Sequence, residues 1–232
     1  MINPTTEVMT IIFLYQFEQG FLTEAEIQSL AGLGPEELHG LIEQGYIRSR
    51  QSYFDDLMLY FPTRKAREFL RGRSIKVYVE RLKRPPAKNE LHDRRLTDIR
   101  ILLEQKGYPD WQSERCLHQR GMKRVRPDAI LSLGRRKVAI ELEMSGKGEQ
   151  KYDNRFGFYR DHPALDAVLY FVATPEQRKR LLEIAKGYRK IYFVLLRNLT
   201  EHKENAFVER SGFPGALCLW KFLESIRGKR FL

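Results

Sequence analysis

The run from Arg126 to Lys147, RPDAILSLGRRKVAIELEMSGK, sets the hardest condition on how this chain can fold. VRPDAILSL and KVAIELEMS are rich in Ile, Leu and Val and are parted by Gly-Arg-Arg, which reads as two strands joined by a turn. Asp128, Glu141 and Glu143 stand within those runs. A carboxylate taken out of water is strongly destabilising unless a cation or a metal ion compensates it. Along KVAIELEMS successive side chains alternate faces, so Val138, Ile140 and Leu142 share one face and Glu141 and Glu143 the other. With Asp128 at the kink of the first strand, three carboxylates converge into a cage suited to a hard divalent cation, Mg²⁺ or Mn²⁺. The same alternation also suits a solvated face, with Asp128 capping a turn.

The flanking sequence divides into two textures. Residues 5–19 carry Val8, Ile11, Ile12 and Tyr15 at helical spacing up to Gly20. Thr23 opens TEAEIQSLAG, with Glu26 placed to complete a capping box. Gly34-Pro35 opens PEELHGLIEQG, closed by Gly45. YIRSR and LMLYFPT are short strand candidates joined by QSYFDD, and TRKAREFLRG reads as a helix. Three small helices, a hairpin and a helix are the pattern of a winged helix-turn-helix, assigned to 1–75. Pro85-Pro86 continues neither a helix nor a central strand, and 76–89 is read as a linker. From 90 to 232 the chain reads as a second domain. It opens with the amphipathic helix NELHDRRLTDIRILLEQKG, whose Leu91, Ile99, Leu102 and Leu103 form the inward stripe. A short edge strand in WQSERCL, the hairpin, the basic helix GEQKYDNRFGFYRDH, the strand AVLYFVAT, the helix PEQRKRLLEIAKGY and the strand KIYFVLL follow. ALCLWKFLESIRGKRFL adds a last strand or helix. The expected fold class is α/β (α+β): a winged helix-turn-helix, then a mixed sheet flanked by helices.

Charge narrows the partner. With 41 Lys and Arg against 30 Asp and Glu the net charge is +11, which favours a polyanion such as nucleic acid. Two distant cysteines, Cys116 and Cys218, make neither a disulfide framework nor a zinc cluster and suit a reducing cytoplasm. The N-terminus lacks the pattern of a signal peptide, and no stretch approaches the ~18 apolar residues of a membrane span. A soluble cytoplasmic protein without a membrane partner is expected. The third helix is acidic, with Glu36, Glu37 and Glu43 and no Lys or Arg. Phosphate contacts are therefore expected from Arg48 and Arg50 in the hairpin and from Arg64, Lys65 and Arg67 in the helix after it. His39, His118, His162 and His202 show no metal-ligand spacing.

Pro127-Asp128, then a turn, then Glu141-Leu142-Glu143 resembles the PD-(D/E)xK nuclease superfamily, with Glu143 where lysine is usual. Lys147, four residues on, is the candidate displaced substitute. HDRRL, RPDA and IELEMSGKGEQKYDNRFGFY together resemble the replication-relaxation group of plasmid proteins, which includes MobC-type relaxases. The matching positions are His92, Asp93, Asp128, Glu141, Glu143, Ser145, Lys147, Lys151 and Tyr152. That group joins a winged helix to a restriction-endonuclease-like core, so the resemblance covers nearly the whole chain. It implies a metal-dependent nick in one DNA strand at a plasmid transfer origin during mobilisation. Asp128 and Glu141 would hold Mg²⁺ or Mn²⁺, and Glu143 would complete the cage or orient a water. Lys147 would balance charge on the phosphate. His92 and Asp93 would add a ligand or a general base. Lys151 and Arg155, on the basic helix, would hold DNA phosphate. Tyr152 is either a covalent nucleophile or a packing and phosphate-contacting residue, and water attack is the preferred route. Implied partners are DNA and a coupling protein or other relaxosome components. Two alternatives stay open: a non-catalytic DNA-binding replication or transfer regulator, favoured by Glu143, and a restriction- or repair-type endonuclease.

Overall fold

The computed structural model of the chain describes residues 4–77, 87–119, 125–202, 206–213 and 215–228. It is a mixed α/β fold with a small antiparallel sheet and a seven-stranded mixed sheet. Two compact units make it up, Met1–Leu102 with Arg115–Gly121, and Leu103–Glu114 with Met122–Leu232.

In the first unit α1 (Thr6–Gln19) starts at Thr5, whose hydroxyl accepts the Val8 N–H, and ends at Gly20 with φ +103°. Ile12, Phe13 and Phe17 are buried, whereas Ile11 is 41% exposed. The helix is apolar on most sides, so spacing alone did not select its inward face. Next come β1 (Leu22–Thr23) and α2 (Glu24–Ala31), the latter opened by the expected capping box between Thr23 and Glu26. α3 (Pro35–Glu43) leads into the antiparallel pair β2 (Ile47–Gln51) and β3 (Met58–Pro62), and α4 (Arg64–Arg71) follows. The two residues of β1, too short to signal in sequence, pair with β3 and give the order β1-β3-β2. The side chains of α1, α2, α3 and α4 close over this sheet in one apolar cluster that includes Phe13, Leu38, Leu41 and Leu70.

α5 (Ala87–Gln105) carries the chain toward the second unit, but most of it belongs to the first. Glu90 is fully buried and accepts from the Ser52 hydroxyl at 2.5 Å, Arg50 Nη2 at 2.8 Å and the Tyr53 N–H at 3.1 Å. A division at 90 therefore cuts through bonded structure, and the helix expected to open the second domain is anchored in the first. Leu91, expected inward, is 37% exposed because Glu90 beside it takes the buried position. Most of the expected linker, 78–86, lies outside the described residues.

The second unit is built on β4 (Trp111–Ser113), β5 (Ala129–Leu133), β6 (Arg136–Glu143), β7 (Ala167–Val172), β8 (Ile191–Leu195), β9 (Phe207–Glu209) and β10 (Leu217–Cys218). The sheet order is β10-β9-β8-β7-β6-β5-β4. β6, β7 and β8 are parallel neighbours, and the other pairs are antiparallel. α6 (Glu114–Gln119), which the sequence did not announce, falls between β4 and β5 and mostly in the first unit. α7 (Glu149–Asp161) and α8 (Pro175–Ile184) are the crossovers of the parallel strands. α9 (Leu196–His202) and α10 (Leu219–Arg227) follow β8 and β10, so the tail holds both a strand and a helix. Every residue of β7 is buried, as for a strand with both sheet faces covered. No helix among the described residues is long and apolar enough to cross a membrane.

Candidate active site

The β5–β6 hairpin turns through Gly134-Arg135, and Gly134 takes φ +66°, a conformation costly for residues with a Cβ. Asp128 precedes β5 and is held at both ends. Its carbonyl accepts the Glu114 N–H at 2.7 Å, and its carboxylate accepts the Leu142 N–H on β6 at 2.7 Å. This bond fixes Asp128 beside the stretch of β6 that carries the two glutamates.

Glu141 and Glu143 lie on one face of β6 and are 4% and 3% exposed, which overturns the reading of a solvated face. α7 packs over that face with Tyr152, Phe156 and Tyr159, all buried. The ring of Phe156 meets Tyr170 at 5.3 Å and Phe193 at 6.2 Å between centroids. Helical spacing sets Arg155 on the same side. Its Nε and Nη2 reach Glu141 Oε1 at 3.0 and 2.7 Å, and Nη2 also donates to the Arg126 carbonyl at 2.8 Å. The Tyr159 hydroxyl donates to the same carboxylate. Burial, and then the nearby charge of Asp128, push Glu141 up to about 8 even though Arg155 and Tyr159 pull the other way.

Glu143 faces the following loop. It accepts the Ser145 N–H at 3.2 Å and pairs with Lys147 Nζ at 2.7 Å, so the lysine four residues on does return to the acidic strand. Tyr152 is buried, and its hydroxyl accepts the Lys147 N–H at 3.0 Å and points to the Ser145 carbonyl at 3.4 Å. Burial, reinforced by Glu143, raises its pKa, which disfavours the phenolate that a tyrosine nucleophile needs. Arg180 Nη2 donates to the Lys147 carbonyl at 3.1 Å, and a hollow of about 310 Å³ lies here between Tyr152, Gln177 and Arg180.

Neither a family model, nor a curated protein, nor a solved structure matches this chain.

Asp128, Glu141, Glu143, Lys147, Tyr152 and Arg155 thus come together in the second unit. His92 and Asp93 lie on the part of α5 that belongs to the first unit, where Asp93 receives Arg115 Nη2 at 3.5 Å. Lys151 is exposed on α7. Of the first unit's basic candidates, Arg48 and Arg64 are exposed, and Arg64 pairs with Glu68. Lys65 Nζ donates to the Gln44 carbonyl at 2.8 Å. Arg67 lies over the Phe17 ring at 5.3 Å. Arg50, expected on phosphate, is instead held against buried Glu90 and the Tyr53 ring. Tyr159 and Tyr170 were missed. The stripe Tyr152, Arg155, Phe156, Tyr159 was visible at helical spacing, but Tyr170 is singled out only by its register opposite Glu141.

Among the described residues no group of three or more His, Cys, Asp and Glu side chains is arranged to hold a metal ion. Two carboxylates nevertheless suit Mg²⁺, which binds through one or two carboxylates together with substrate phosphate and water. The donor set is hard oxygen, and the mutual repulsion of Asp128 and Glu141 is relieved by a cation.

Proposed function

We propose that the second unit is a metal-dependent DNA nuclease core, acting as a relaxase that nicks one strand at a plasmid transfer origin. The observation that carries this reading is the placing of the Asp128 carboxylate on β6, 2.7 Å from the N–H of Leu142, the residue next in sequence to buried Glu141. A hairpin bearing these groups, followed by a helix and a parallel strand, suits a restriction-endonuclease-like core. The order of the first unit, with a short strand between α1 and α2 and a hairpin after α3, suits a winged helix. A divalent cation held by Asp128 and Glu141 would supply a Lewis acid for a phosphoryl oxygen and a water that ionises near neutrality.

The chain's own groups then have distinct tasks. Arg155 bonds Glu141 while no cation is bound and has a guanidinium suited to phosphate once one is. Lys147 returns positive charge to Glu143, where developing charge on a phosphate would need it. Tyr152, with its hydroxyl engaged by the 145–147 backbone, shapes that loop, and water is the attacking group.

The regulator reading draws on one specific observation: both glutamates are already paired with cations of the chain, Arg155 and Lys147. Supercoiled plasmid carrying a candidate transfer origin, incubated with Mn²⁺ or with EDTA, separates the two. We expect Mn²⁺-dependent conversion to open circles by the wild type. Glu141→Gln should slow it at least about 100-fold, since even partners of metal ligands are worth about 10–100-fold. DNA binding without any nicking would favour the regulator, and cutting that ignores the origin would favour a restriction- or repair-type enzyme.

A further inference from the structure

Tyr170 stands opposite Glu141 in the register of β6 and β7 and is 1% exposed. Its ring is packed against Phe156 at 5.3 Å and Phe193 at 5.7 Å, contacts that phenylalanine would make equally well. The hydroxyl is therefore the part of the residue that needs a reason, and among the described residues it has no hydrogen-bond partner. The other two tyrosine hydroxyls under α7 differ. Tyr159 donates to Glu141, and Tyr152 is engaged by the backbone of Lys147 and Ser145. An unpaired buried hydroxyl is destabilising, and such a group in a folded protein points to a role or to a missing water or ion. Here the hydroxyl lies within electrostatic reach of Glu141, Tyr159, Arg155 and Asp128, and burial followed by the Glu141 charge raises its pKa well above the ordinary value. Arg155 and Tyr159 both bond the Glu141 carboxylate through Oε1, and Tyr170 makes no bond to it among the described residues.

We infer that Tyr170 is a further residue of the cation site, its hydroxyl held ready for the hydration shell of a divalent cation between Asp128 and Glu141. This rests on the metal-dependent reading above. It assigns Tyr170 a positioning role: a single donor, fixed by ring packing, facing a solvated ion.

Tyr170→Phe in the full chain tests it, with melting in EDTA and calorimetric titration with Mn²⁺. Removing an unpaired buried hydroxyl should raise the melting temperature in EDTA. The same change should weaken Mn²⁺ binding about fivefold or more, the factor that one hydrogen bond carries. Tyr159→Phe provides the contrast, because its hydroxyl is bonded to Glu141 and its loss should lower the melting temperature in EDTA. Equal Mn²⁺ affinity in wild type and Tyr170→Phe would overturn the inference and leave the metal reading standing. So would a lower melting temperature for Tyr170→Phe in EDTA, which would place the hydroxyl in a bond within the cation-free fold. A wild type that binds no Mn²⁺ would overturn the metal reading and this inference with it.

Discussion

Glu141 and Glu143 could be picked out as a pair from the alternation of one strand, because the period of two is a property of the backbone. What compensates them could not, since Arg155 and Tyr159 come from a helix whose docking depends on the whole sheet. Glu26 shows the same limit in the first unit. Its place in a capping box was legible three residues from Thr23, but its burial, at 5% exposure, was not. Desolvation raises its pKa from 4.5 to about 7, with the nearby charge of Asp98 adding to the effect. A carboxyl raised by folding contributes stability that is fully present below its unfolded pKa. That contribution is lost as pH climbs from about 4.5 through about 7, at about 1.4 kcal/mol per unit of pKa difference. Glu26→Gln keeps an acceptor for the Thr23 N–H and removes the titration. The melting temperature of the variant relative to wild type should therefore rise between pH 5 and pH 7.5. A difference that stays flat across this range would mean that Glu26 is solvated.

Among the elements, α2, α3, β7 and α8 were legible because each start and stop has a local cause: a threonine cap, a proline at the first turn, or a continuous apolar run. β1 and α6 were not, being two and six residues long, and β1 forms only by pairing with β3, far away in sequence. α5 was legible as a helix but not as part of the first unit, because a glutamate near a helix start ordinarily reads as a solvated charge. Glu90 instead gathers Arg50, Ser52 and Tyr53, tying α5 to the β2–β3 hairpin. Breaking a buried pair by removing one partner leaves the other charge uncompensated and costs about 3–5 kcal/mol. Glu90→Ala should cost stability on that scale in chemical denaturation, whereas Glu36→Ala, on the exposed face of α3, should be near neutral. Similar midpoints for the two variants would show that the Glu90 cluster contributes little to the first unit.

For the whole molecule, charge was the most transferable part of the sequence reading, and unit boundaries the least. The segment 115–121 rejoins the first unit after 103–114 has entered the second, an order that a linear search for linkers does not find. The net charge of +11 is unaffected by such detail, because every internal ion pair removes one charge of each sign. Arg50, Lys147 and Arg155 are thus occupied, yet an equal number of acids is occupied with them, and the cationic excess remains. If that excess binds duplex DNA through about six phosphates, the logarithm of affinity should fall with the logarithm of salt with a slope near −5. Raising salt from about 50 to about 200 mM should then weaken binding by about 10³-fold, measured by fluorescence anisotropy on a labelled duplex. Lys151 is exposed at the start of α7, and Lys151→Ala should weaken binding to every sequence alike and reduce the slope by about 1. Arg155→Ala should behave differently, because it also strips Glu141 of its cation and lowers the melting temperature in the absence of metal. A loss of less than about tenfold over that salt range would mean that the excess charge serves solubility and not a polyanionic partner.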